Sequence, residues 1–155
     1  MATVPNAAFD AAFPPDAELA HPAGCYLARK VQQSLSTIAS MVDDFDSWRD
    51  SGWVVTCEVG GQRFEVYFAG TGTGPAPTTW MLGVAPIGQP GTIRRIFGAK
   101  VAPYKTQSKT LTVHLDKLLS NDTYISNVRW AMNADPSPSK IKDASELSWG
   151  NDDVA

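Results

Sequence analysis

Apolar residues return at helical steps through the first third of the chain. Leu27, Val31, Leu35, Ile38, Val42 and Phe45 are separated by four or three positions, which puts them on one face of an α-helix. Met41 and Trp48 widen that stripe toward the breadth of a helix laid on a sheet. Pro22 suits a first-turn position, and Asp50-Ser51-Gly52 supplies a stop. The pattern therefore predicts one long helix over 23–48. Before it, residues 1–20 are rich in Ala and Pro without a clear period and read as an arm, disordered or laid across the domain.

The period then changes to two. From Trp53 to Ala69 the chain alternates about Gly60-Gly61, a pair that permits the positive φ angles of a two-residue hairpin loop. Folding at that turn sets Cys57 opposite Phe64, Val55 opposite Val66 and Trp53 opposite Phe68, all on one apolar face. The other face pairs Glu58 with Arg63 and Val54 with Tyr67. A slip of one residue would destroy this sorting, so the pattern sets the register.

Further elements follow at lower contrast. Gly70 to Pro77 is a loop by composition. Thr78 to Ile87 reads as a strand with Trp80, Leu82 and Val84 inward and Pro86 near its end or on an edge. Thr92 to Gly98 fits a short helix with Ile93, Ile96 and Phe97 inward. Thr110 to Leu115 alternates as a strand would, whereas Leu111, Leu115, Leu118 and Leu119 fit a helix. Ser108 as a cap and the continuation through Lys117-Leu118-Leu119 favour a helix over 108–120. Tyr124 to Met132 is a last strand with Val128, Trp130 and Met132 on one face, and residues 134–155 form a polar tail.

The expected architecture is α+β, in the order α-β-β-β-(short α)-α-β. It is a two-layer sandwich in which a four-stranded, mainly antiparallel sheet carries a long N-terminal helix and a second helix on one face. The domain spans 21–133, between the arm and the tail. This order of elements resembles the general plan of small bacterial adaptor, secretion-chaperone and immunity proteins, although no motif carries the resemblance.

Composition narrows the class. The 155 residues are 43% hydrophobic and 19% charged, which suits one globular domain. A net charge of −3 argues against nucleic acid as the main partner. Two cysteines, Cys25 and Cys57, are too few for a disulfide framework and imply a reducing, cytoplasmic setting. The acidic N-terminus does not read as a secretory signal, and no apolar run is long enough for a membrane span.

Candidate chemistry is sparse. His21 and His114 stand far apart in sequence, no G-x-S-x-G is present, and the two histidines and two cysteines lack metal-ligand spacing. No cofactor is expected. A calcium loop begun at Asp44 and Asp46 fails at Trp48, where an oxygen ligand is needed, and at Arg49, where glycine is needed. The Gly70–Gly74 run lacks phosphate-loop spacing.

Charge is the informative polar feature. No acidic residue stands between Glu65 and Asp116, and that stretch holds Arg94, Arg95, Lys100, Lys105 and Lys109. Asp43, Asp44, Asp46 and Asp50 gather where the long helix is expected to end, a placement that opposes the helix dipole and invites a basic partner. The expected function is a non-enzymatic protein-interaction module that uses these two segments on a partner or on itself. The alternative is a small-molecule or hydrolytic domain with Cys57, Tyr67 and His114 in a pocket between helix and sheet. A membrane-peripheral role for Ile93–Phe97 offers less area than stable binding needs. Leu147 and Trp149 in the tail are expected to dock on the domain or on a partner.

Overall fold

The computed structural model describes residues 5–13, 24–48, 52–70, 79–88 and 105–132. In chain order these form β1 (Pro5–Ala11), α1 (Cys25–Leu35), β2 (Met41–Val42), β3 (Asp46–Trp48), β4 (Gly52–Val59), β5 (Gln62–Gly70), β6 (Thr79–Ile87), α2 (Lys105–Ser120) and β7 (Ile125–Met132). Six strands run in the order β2-β4-β5-β6-β1-β7, and β3 lies on the same β4 edge as β2. Every pairing is antiparallel. The fold is α+β as expected, but the sheet has more than four strands and the first element is a strand, not a helix.

The hairpin forms in the expected register. Trp53 pairs with Phe68, Val55 with Val66, Cys57 with Phe64, Glu58 with Arg63 and Val54 with Tyr67. Gly60 and Gly61 take φ of 56° and 82°, the mirror-image turn whose twist matches the flanking strands. Strand β6 continues the meander, with Trp80, Leu82 and Val84 buried. Its Pro86 pairs with Phe64 on the β5 side. On the other side the β1 pairing reaches only to Gly83, so the missing N–H breaks no ladder there.

The long helix is shorter than its apolar period implied. It ends at Leu35, where Ile38 and Ala39 turn their N–H groups back onto the Leu35 carbonyl at 3.0 and 2.9 Å. The following residues feed the free edge of β4, beginning with Ser40 N–H to Glu58 O at 2.9 Å. Met41 and Val42 pair with Glu58 and Cys57, and Asp46 to Trp48 pair with Val54 to Gly52. The step from Val42 to Asp46 thus opposes the shorter step from Cys57 to Val54, a bulge of one residue. Ile38, Val42 and Phe45 still pack against the core, but Val42 and Phe45 do so from this edge segment. An edge with unpaired amides demands a partner more strongly than a weak helix end demands continuation.

Strand β1 is the larger surprise, since Pro5–Ala11 belongs to the segment read as an arm. Its Ala7 lies between Leu82 on β6 and Trp130 on β7, and all three are essentially inaccessible. A bulge on β7 near Asn127, whose φ is 56°, shifts the pairing between Ala8 and Asp10. Asparagine tolerates that left-handed conformation better than most residues.

Both helices bury their apolar faces in one core. Leu27, Ala28, Val31 and Leu35 of α1 join Leu111, Leu115 and Leu119 of α2, above Phe64, Val66, Phe68, Trp80, Leu82 and Trp130. The 108–120 segment is therefore helical, beginning three residues earlier. The expected helix at 92–98 and the tail from 134 lie outside the described residues.

On the opposite face of the sheet, the Tyr67 ring lies over Gly83, where a Cβ would stand 2.2 Å from its Cζ. Gly83→Ala is expected to lower stability by about 1–3 kcal/mol. Tyr67→Ala in the same chain should recover part of that loss. Equilibrium urea unfolding of the two single variants and the double variant measures the coupling.

Candidate functional site

The two helices pack antiparallel along a polar seam. Residues 26, 30 and 34 of α1 meet 122 and 114 at and beyond α2, in reverse order. At one end Asp122 follows the last turn of α2. Its Oδ2 accepts from Lys30 Nζ at 2.8 Å and from Tyr26 OH at 3.1 Å. Its Oδ1 accepts the Tyr124 N–H at 2.8 Å, the side-chain turn typical of aspartate. Lys30 lies 5.1 Å from the Tyr26 ring centroid, and Tyr124 meets that ring edge-on at 5.3 Å.

Burial pushes the Asp122 carboxyl up, but the bonds from Lys30, Tyr124 and Tyr26 outweigh it and hold the group below the ordinary carboxylate range. Lys30 is raised, first by its hydrogen bond to Asp122. A carboxylate so stabilised stays ionised near neutrality and is not poised for proton transfer. It is a structural fastener.

At the other end, His114 Nε2 lies 2.6 Å from Ser34 Oγ and 3.0 Å from the Ser34 carbonyl oxygen. A serine beside a histidine invites a nucleophilic reading. The carbonyl oxygen can only accept, so it is bonded in the tautomer that carries the hydrogen on Nε2, and in the other tautomer the Ser34 hydroxyl donates to Nε2. No carboxylate is bonded to the His114 ring among the described residues to complete a triad. This pair ties the end of α1 to α2.

The three residues considered for a small-molecule pocket do not converge. Cys57 points into the core at 2% exposure, and its thiol is pushed up to about 11, by burial first and by the Asp43 charge second. Tyr67 lies on the other face of the sheet over Gly83, and His114 is in the seam. Among the described residues, no group of three or more His, Cys, Asp or Glu could hold a metal ion.

The charged segments fare differently. Arg94, Arg95, Lys100 and Asp50 lie outside the described residues. Lys105 opens α2 and is buried, 8% exposed, so it is not a surface contact. Lys109 is exposed. Asp43, Asp44 and Asp46 are also exposed, yet they sit in and beside the bulge of the edge strand rather than at a helix end. The dipole argument therefore falls. In its place, acids on an exposed edge discourage indiscriminate strand pairing. Asp43 Oδ2 lies 3.2 Å from Arg63 Nη2, with both side chains half-exposed, and Asp44 Oδ1 accepts from Gln32 Nε2 at 2.9 Å.

An open groove of about 450 Å³ lies between α2 and the turn after α1. Lys109, Val113 and Lys117 line it at four-residue intervals, and Ile38 lines it from the α1 side. Val113 is 37% exposed. Lys117 was absent from the sequence-based set, because that set followed a run of sequence free of acids and stopped at Lys109. The helical period of 109, 113 and 117 was the signal that would have found it. No protein-family model matches this chain, and neither a curated protein nor a solved structure matches it at a significant level.

Two outcomes follow from this geometry. Because the Asp122 carboxyl is lowered in the fold, its stabilisation is complete above the ordinary carboxylate range and is lost as pH falls through its lowered value. Asp122→Asn should cost about 1–3 kcal/mol at neutral pH, and the difference from wild type should shrink below about pH 4. Denaturant unfolding across pH 2–7 checks this. Cys57 should resist alkylation in the folded chain, with iodoacetamide at pH 8 reacting roughly a hundredfold more slowly than in urea.

Proposed function

We propose that this chain is a non-enzymatic protein-interaction module, adaptor-like, chaperone-like or immunity-like in role, that works through two surfaces of opposite charge. One is the acidic edge at Asp43, Asp44 and Asp46. The other is a basic surface that includes Lys109 and, from the sequence, Arg94, Arg95 and Lys100. The single observation carrying this reading is the division of exposed charge between two parts of the fold. Exposed acids cluster at the bulged edge of β4, while Lys109 and Lys117 flank exposed apolar surface on the helix layer. Surfaces so divided steer a partner and set its orientation more than they add raw affinity. Self-association, acidic surface against basic, is the second form this reading takes, since one chain carries both signs.

Immobilised full-length chain should retain a stoichiometric partner from lysate of the native organism, itself or another protein, identified by mass spectrometry. Lys109→Glu/Lys117→Glu, Arg94→Glu/Arg95→Glu or Asp44→Lys/Asp46→Lys should release it. Circular dichroism melting of the Lys109/Lys117 and Asp44/Asp46 variants should remain close to wild type, because these positions are exposed and exchanges at such positions typically cost within about 0.5 kcal/mol. A partner indifferent to all three reversals, or no partner at all, would remove the reading.

A further inference from the structure

We infer that the groove between α2 and the turn after α1 receives an acidic, helical segment of another protein, which carries an apolar side chain between two carboxylates. The inference rests on the interaction reading above and names the class of partner for one of its surfaces.

Three features lead to it. Lys109, Val113 and Lys117 recur every four residues along α2, so the two ammonium groups stem from positions about 12 Å apart along the axis, with an apolar contact midway. The groove is lined along that same stretch by Thr110 and His114, and from the α1 side by Ile38. It therefore follows α2 for two turns, a track suited to a helix lying alongside it. Finally, hydrogen bonding between His114 and Ser34 holds the end of α1 against α2, so the track is preformed and a segment docking there pays less to order it.

Charge decides the occupant. A helical segment with Glu, Leu and Glu at four-residue intervals repeats the spacing of Lys109, Val113 and Lys117. It sets each carboxylate near a lysine and the leucine against Val113 and Ile38. A basic segment would meet like charge at both ends.

The probe is an alanine- and glutamine-based helical peptide with that Glu-Leu-Glu pattern, titrated into the full-length ¹⁵N-labelled chain. Shift changes are expected to centre on the amides of residues 38 and 109–117. Lys109→Glu/Lys117→Glu should weaken binding about fivefold or more. Replacing the peptide leucine by alanine should weaken it, and raised salt should do the same. Equal binding of a Lys-Leu-Lys peptide, shifts centred elsewhere, or no shift at millimolar peptide would overturn the inference. If the peptide fails while a captured partner is still released by Asp44→Lys/Asp46→Lys, the inference falls and the interaction reading stands. If no partner is captured either, both fall.

Discussion

Strand β1 is the piece on which the rest of the structure depends. It lies between β6 and β7 and, among the described residues, joins them in the sheet by pairing with both. A strand inside a sheet must satisfy backbone groups on both sides, since leaving them buried and unpaired is costly. By pairing with both neighbours, seven residues near the N-terminus fix β7 to the β4-β5-β6 meander. Helix α2 packs on β7 and β6, and α1 packs on β4. The strand under α2 is therefore joined to the meander under α1 through a strand that precedes both helices in sequence.

The helix layer adds its own fasteners. The Asp122–Lys30 pair is half in water, because the lysine side chain is 40% exposed while the carboxylate is 1% exposed. The lysine end alone would be worth little. The aspartate, however, also accepts from Tyr26 and Tyr124, so a buried carboxylate is fully satisfied rather than stranded. Asp116 acts similarly, taking the indole N–H of the inaccessible Trp130 at 2.8 Å. These are polar groups that specify where α2 sits, while the apolar core supplies the driving force. The groove inherits its shape from them.

Much of the fold was legible where both periodicity and turn chemistry spoke together. Trp53 to Gly70 is such a place, as alternation, the Gly60-Gly61 pair and sorting of charge all agree. Leu111, Leu115 and Leu119 likewise marked the buried face of α2 despite the alternation of Thr110 to Leu115. The errors have physical causes. Leu35, Ile38, Val42 and Phe45 keep helical spacing by coincidence, and three of them reach the core from outside any helix. Ala7, Ala8 and Ala11 have low strand propensity; what holds them in a strand is pairing with distant neighbours, Ala7 with Leu82 and Trp130, Ala8 with Met81 and Arg129, and Ala11 with Ile125. Of the candidate surfaces, Lys109 and the acids at 43, 44 and 46 were legible as charges. That Lys105 is buried, and that Lys117 joins Lys109 across Val113, depended on which way α2 faces.

What the sequence determined by itself is local: the hairpin and its register, the inward faces of β6 and α2, and a divided distribution of charge. These follow from neighbours along the chain, where period and turn residues act over a few positions. The tertiary structure decided the rest. It made an alanine-rich segment a central strand, ended α1 at Leu35 so that the next residues could cover the edge of β4, and turned Ser34–His114 and Lys30–Asp122 into fasteners of one seam. Each of those outcomes satisfies a demand raised by a distant element, an unpaired strand edge or a buried polar group, and such demands exist only once the chain has folded.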